Sequence, residues 1–272
     1  MRINGSTALV LGAAKGIGKA IAENLAEGGG RVIATWFDWP DDAAATWREF
    51  EGRGFDFLPV RVDLRDPEQV AGLFRGFADR GDRLDILINN IERGGMPVVH
   101  GPYLSEQWDL EMETTLKAKW WVVRHAMPLL RARPEAVIVT LSSIAGLVGR
   151  SGPAALIFND GYAAANRAIS SFTETWAREG APTVRVNELM LGFFETRHAE
   201  KTRGWGLLSE EQRRAILATA LLGRSGTLTE VVRAVRFLVE DASYMTGSVL
   251  RLDGGYVPGQ ARVAPMPPGV DR

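Results

Sequence analysis

Short β-branched or apolar runs alternate along the chain with longer stretches whose apolar residues recur every three or four positions. Seven runs read as strands: TALVL at 7–11, RVIATW at 31–36, FDFLPVRV at 55–62, LDILIN at 84–89, AVIVTLS at 136–142, VRVNEL at 184–189 and SVLRL at 248–252. Between them, stretches such as KAIAENLAEG, PEQVAGLFRGFAD, SEQWDLEMETTLKAKWWVVRHAMPLLR and TEVVRAVRFLVED carry helical spacing. Near-continuous apolar strands interleaved with helices predict an α/β chain whose parallel sheet has helices on both faces. The alternation stretches out at residues 192–226, after the sixth run. Ligands of such sheets sit beyond the strand carboxyl ends, so this excursion is placed to cover a site. The end of the chain, VPGQARVAPMPPGVDR, is rich in Pro and Gly and has no apolar period. The domain is therefore expected to span 1–257, with 258–272 as an extended tail.

A chain of 272 residues fits one large α/β domain. Net charge is −1 with no Lys/Arg block, which predicts neither a nucleic-acid nor a membrane partner. The absence of cysteine excludes disulfides, thiolate catalysis and Cys-based metal sites. His100, His125 and His198 show no metal-ligand spacing, so no metal is expected. The first apolar run is too short to cross a bilayer and lacks the flanks of a secretory signal, which points to a cytoplasmic, soluble protein.

The first strand runs into Gly12-Ala-Ala-Lys15-Gly16-Ile17-Gly18 and then a helix. Glycines at such a turn let the backbone approach a pyrophosphate at a helix N-terminus, although they also serve ordinary strand-to-helix turns. Other strand ends add polar groups at the same sheet edge: Asp63-Leu64, Asn89-Asn90 and Ser142-Ser143.

Together with Tyr162, RVN at 185–187, LGFFET at 191–196 and YMTGSVLRLDGG at 244–255, these motifs resemble the short-chain dehydrogenase/reductase family over nearly the whole chain. The resemblance implies a single doubly wound Rossmann-type domain with a seven-stranded parallel sheet. It implies a nicotinamide dinucleotide with its pyrophosphate on the glycine loop, Asp63 and Leu64 at the adenine, Asn89 and Ile91 flanking the adenine ribose, and Thr196 at the nicotinamide carboxamide. NAD-binding members tend to carry an acid at the end of the second strand, where this chain has Trp36, with Asp38 two residues later. Lys15 resembles the basic residue that NADP-preferring members set against the 2′-phosphate, which favours NADP(H) over NAD(H); its other reading is a solvated surface charge. Family members commonly form homo-oligomers, so a tetramer or dimer is expected.

The family's catalytic helix usually reads Tyr-x-x-x-Lys, and this chain has Tyr162 followed by Asn166. A tyrosine exchanging a proton near neutral pH needs a cation nearby. A charge ~4 Å away at an effective dielectric of ~20 is worth on the order of 4 kcal/mol, and a neutral amide cannot supply it. If nothing compensates, about a thousandfold in rate is lost. Thr115 aligns with the family's relay asparagine, Glu92 stands where the family has glycine, and Leu191-Gly192 replaces Pro-Gly. The segment between Ser143 and Tyr162, containing GRSGPAALIFNDG, is longer than the family spacing and reads as a local insertion. Lys119, one turn from Thr115, and Glu92 are the candidate compensating groups; the alternative is that they form a structural ion pair or sit in solvent. Arg167, five residues from Tyr162, points off its face. Phe193, Phe194 and Trp205 suggest an apolar substrate face, or core.

The resulting expectation is nicotinamide-dependent carbonyl reduction or alcohol oxidation of a small, partly apolar substrate. Tyr162 would act as acid/base and Ser143, rather than Ser142, would polarise the substrate oxygen. Non-redox chemistry on the same fold and a non-catalytic cofactor binder remain as alternatives.

Overall fold

The computed structural model describes residues 1–91, 104–194, 196 and 205–261. Seven parallel strands form one sheet in the order β3-β2-β1-β4-β5-β6-β7. They are β1 Thr7–Val10, β2 Arg31–Trp36, β3 Phe57–Arg61, β4 Ile86–Asn89, β5 Ala136–Ser143, β6 Val184–Leu191 and β7 Val249–Leu252. All seven expected runs are strands, and the order reverses between β1 and β4, the crevice where an open α/β sheet holds its ligands. The helices among the described residues are α1 Gly16–Glu27, α2 Pro40–Gly52, α3 Pro67–Arg80, α4 Ser105–Glu111, α5 Ala118–Arg131, α6 Ala145–Val148, α7 Asp160–Gly180, α8 Glu210–Thr219, α9 Leu228–Arg236 and α10 Tyr256–Gly259.

Strands β4, β5 and β6 are buried along their whole length, as expected of strands covered on both faces. Alternate side chains divide between two cores. Val137, Val139 and Leu141 join Ile21, Leu25, Val231 and Val235 on one face. Ala136 and Ile138 join Val122, Ala126, Leu130 and Trp176 on the other. Helix starts follow local chemistry: Asp66 accepts the N–H groups of Glu68 and Gln69 ahead of Pro67, and Thr227 and Glu230 form a capping box at α9.

Two departures from the expected elements concern the site. The long helical pattern after residue 104 is continuous but carries a π-helical segment, Met112–Lys117, between α4 and α5. Such segments re-aim the side chains that follow them and are frequent at functional sites. At the other end, α10 straddles the expected boundary at 257, and Ser151 donates to Gln260 at 3.3 Å, tying the start of the expected tail to the domain. Within the excursion, Trp205–Leu207 forms a 3-10 turn ahead of α8.

Candidate active site

The glycine loop leaves β1 and enters α1 with Gly12 at φ 65° and Gly16 at φ 59°, both in the left-handed region that suits glycine. Gly18 is required for a different reason: a Cβ there would stand 2.1 Å from the Gly12 carbonyl oxygen. Thr35 receives the Gly12 N–H through Oγ1 at 3.3 Å and the Ala13 N–H through its carbonyl at 2.8 Å. Asn90 Nδ2 donates to the Leu11 carbonyl at 3.1 Å, and Thr46 donates to the Ala14 carbonyl at 2.8 Å. Lys15 at the start of α1 makes no side-chain cap, and the first turn carries no acidic residue. The opening N–H groups of α1 thus face outward with no carboxylate competing for them, which fits a dinucleotide pyrophosphate.

Around the end of β2 the side chains are aromatic and cationic. Lys15 Nζ lies 3.1 Å from the Trp39 ring centroid and 3.1 Å from Asp42 Oδ2. Trp39 holds φ 67°, uncommon for a residue with a side chain. The Arg61 guanidinium sits 5.6 Å from the ring centroids of both Trp36 and Phe37. The Asp63 carboxylate is gripped by Arg65, Nε to Oδ1 at 2.9 Å and Nη2 to Oδ2 at 2.6 Å, and this hydrogen bond raises the Arg65 pKa. Leu64 is buried beside it and Ile91 is half-buried.

Asn89 corrects an expectation. It is fully buried, and its side chain turns beneath the sheet to donate to the Lys119 carbonyl at 3.3 Å, so it braces α5 instead of facing a ribose. The cause is the pleat: Asn89 follows Leu87 on the helix-covered face.

One cavity brings together Ile17 from the glycine loop, Ser142 and Ser143 at the end of β5, Tyr162 near the start of α7, and Thr196, with Phe158, Leu191, Gly192, Phe193 and Phe194 as its walls. The two serines differ. The Ser142 hydroxyl is bound to the carboxyl of Glu188 on β6. The Ser143 hydroxyl accepts the Ala145 N–H at 3.1 Å, which leaves its own proton to donate to a substrate oxygen. Tyr162 is placed by Asn159, which caps α7 by accepting the Tyr162 N–H at 2.7 Å.

Asn166 occupies the position of the missing lysine and is fully buried. Its Oδ1 accepts the Ser143 N–H at 2.9 Å, and its Nδ2 donates to the Tyr162 carbonyl at 3.0 Å. The reason lies in the sheet. β4 ends at Asn89, opposite Thr140, while β5 continues to Ser143. Odd-numbered β5 residues turn their backbone groups toward β4, as the Val137 N–H does in donating to Asp85. Beyond Thr140 those groups have no neighbouring strand, so Asn166 supplies the acceptor for Ser143. Gly146 permits this packing, since a Cβ there would lie 2.9 Å from the Asn166 carbonyl carbon.

Thr115 is fully buried in the π-helical segment, and its hydroxyl donates to Glu111 Oε2 at 3.4 Å. Its hydrogen bond runs along its own helix, not to Tyr162. Arg167, expected to point off the Tyr162 face, is exposed, as is Lys117, while His125 is partly buried and stacks on Phe74 at 5.8 Å. Glu92, Arg93, His100 and His198 lie outside the described residues. Three buried acids among the described residues escaped notice in the sequence: Asp85, Glu111 and Glu188, of which Glu188 is 0% exposed and adjoins the catalytic segment. Burial pushes the Glu188 carboxyl up, opposed by the hydroxyls of Ser142 and Ser170 and the charges of Lys119 and Arg167.

An aromatic cluster walls the cavity. Phe158 stacks on Phe193 at 5.5 Å and lies 5.8 Å from Tyr162, while Phe193 meets Tyr256 at 5.1 Å and Trp205 at 6.4 Å. Burial pushes the Tyr256 phenol up to about 12, which removes it as a proton donor or acceptor near neutral pH.

A doubly wound sheet with a glycine loop at its switch point and a Ser–Tyr pair in the adjoining cavity defines a dinucleotide-dependent oxidoreductase fold. The comparisons agree: the family model described as enoyl-(acyl carrier protein) reductase matches residues 12–257. The chain belongs to the short-chain dehydrogenase/reductase family. It is 33% identical over 261 residues to a 3-oxoacyl-(acyl-carrier-protein) reductase of Thermotoga maritima, covering 94% of this chain and 100% of that one. It is 34% identical over 259 residues to the Vibrio cholerae reductase of the same name, covering 94% and 98%. The crystal structure of gox2181 superposes with a TM-score of 0.83 at 26% identity, covering 94% of this chain and 97% of that one.

Proposed function

We propose that the protein is a nicotinamide-dependent reductase of a small carbonyl compound with an apolar substituent, working in either direction, and that it prefers NADP(H). The observation that carries this is the meeting of the Ser143 hydroxyl and Tyr162 in one cavity with Ile17 and Thr196, beside the uncapped start of α1. Gly12, Gly16 and Gly18 with the first N–H groups of α1 would hold the pyrophosphate, and Thr196 the carboxamide. When bound, the cofactor supplies the hydride. Ser143 donates a hydrogen bond to the substrate oxygen, and Tyr162 delivers the proton that oxygen takes up. The Phe158 and Phe193 rings exclude water and receive the apolar substituent.

NADP(H) is favoured because Lys15 and Arg61 bring positive charge to the end of β2, where no carboxylate follows the strand directly. The 3-oxoacyl substrates named for the relatives make a 3-oxo thioester the first probe, followed by simple aryl and alkyl ketones. The test is fluorescence titration with NADPH and NADH, then absorbance-monitored cofactor oxidation with those carbonyls. Binding of neither cofactor below about millimolar, roughly −4 kcal/mol, would overturn the reading. Preference for NADH would overturn only the NADP(H) assignment.

A further inference from the structure

Among the described residues the buried cationic side chains are Lys119 and Arg185, at 0% and 8% exposure. Arg185 has a structural task, its guanidinium holding the carbonyls of Leu238, Val239 and Ala242 at the end of the helix that begins with α9. Lys119 is spent differently. It stands in the first turn of α5, just past the π-helical segment, and its Nζ donates to the Leu141 carbonyl at 2.5 Å. Leu141 lies on the same open edge of β5 as Ser143, whose N–H is taken by Asn166. Two residues along a strand span about 7 Å, so the ammonium sits roughly that far along the edge of β5 from the amide of Asn166.

Close by is Glu188, fully buried on β6 opposite Thr140, bound to the Ser142 hydroxyl and within electrostatic reach of Lys119. Three successive residues of β5 are thus held by three side chains from three elements: Leu141 by Lys119, Ser142 by Glu188 and Ser143 by Asn166. A backbone carbonyl at a strand end needs only a neutral donor, such as Gln or Asn, to be satisfied. Burying an ammonium and a carboxyl beside it carries a desolvation cost that a neutral donor would not.

We propose that Lys119 supplies from α5 the positive charge that Asn166 cannot, favouring the tyrosinate form of Tyr162 during proton transfer, with Glu188 fixing the ammonium beneath the edge of β5. Lys119 acts through Tyr162 and is therefore a positioning residue. The inference rests on the reductase reading.

The experiment compares K119R, K119Q and K119M with the unsubstituted chain in steady-state reduction of the best carbonyl by NADPH. Arg keeps the charge, Gln keeps a donor for Leu141 without the charge, and Met keeps neither. K119R is expected to stay within about tenfold of the unsubstituted kcat, while K119Q and K119M lose about a hundredfold, a general acid–base magnitude. KM and NADPH affinity should stay within about threefold, the signature of an interaction made in the transition state. Equal kcat for K119Q and K119R would overturn the proposal, because a hydrogen bond to Leu141 would then suffice. Should K119Q or K119M fail to fold by circular dichroism, K119M/E188Q removes the two buried groups together and avoids stranding one of them. Unaltered turnover of that double variant would also overturn the proposal, and loss of about a hundredfold would support it. No turnover by the unsubstituted chain on any carbonyl would instead overturn the reductase reading, and this inference with it.

Discussion

The backbone N–H of Ser143 is received by the side chain of Asn166 at 2.9 Å, across an edge of β5 that β4 does not reach. The asparagine is thus a structural member of the catalytic segment: this bond ties the strand end to the catalytic helix, and its second bond, to the Tyr162 carbonyl one turn back on α7, fixes the amide's orientation.

Replacing Asn166 by Leu leaves the buried Ser143 N–H without an acceptor, at a cost of about 1–3 kcal/mol. Urea unfolding should show that loss, and kcat should fall at least about tenfold as Ser143 loosens. Asn166→Lys also removes the acceptor, so restoring the family's lysine is expected to lower turnover. A rise in kcat would show that position 166 is the natural seat of the charge.

Ser143→Ala and Tyr162→Phe should each lower kcat by about a hundredfold or more while NADPH affinity is held, since neither side chain belongs to the glycine loop. Ser142→Ala is expected to act otherwise. It removes one of the two hydroxyls that act on the buried Glu188 carboxyl, so denaturant stability should drop by about 1–3 kcal/mol. Parallel unfolding and kinetic measurements on the three variants separate these roles.

Gly18→Ala forces a methyl group into the Gly12 carbonyl, 2.1 Å from where its Cβ would stand. The loop must open, and fluorescence titration should show NADPH affinity reduced at least about tenfold, 1.4 kcal/mol. Unchanged affinity would place the dinucleotide elsewhere.

Glu188 makes stability depend on pH with a defined sign. Burial raises its folded pKa above the ordinary 4.5, so the folded state binds more protons than the unfolded state between the two values. Its contribution is complete below 4.5 and is lost as pH rises through the raised value. The stability advantage of the unsubstituted chain over E188Q should therefore shrink from pH 4.5 upward. An advantage that grows over this range would contradict the assignment.

The sheet and its order of elements were legible in the sequence because buried parallel strands leave continuous apolar runs, and because the glycine loop and Tyr162 are local motifs. What the sequence could not show depends on where strands stop relative to one another. That β5 outlasts β4 is a property of register, and only register turns Asn166 from a lost lysine into an acceptor for Ser143. The same holds for Asn89, whose orientation follows from the pleat. Glu188 left a faint signal, a charged residue within the otherwise strand-like VRVNEL, and Lys119 another in KAKWW; neither says what faces it across the sheet.

The last three residues of β5 pair with β6 on one side, while on the side that β4 does not reach they are supported by side chains from α5 and α7, so that edge of the reactive segment is not built into the sheet's ladder. A change at residue 119, 166 or 188 can shift the serine by fractions of an ångström while every strand pairing stays intact. Such an arrangement lets the reaction be retuned one substitution at a time, on a scaffold whose folding instructions are written elsewhere.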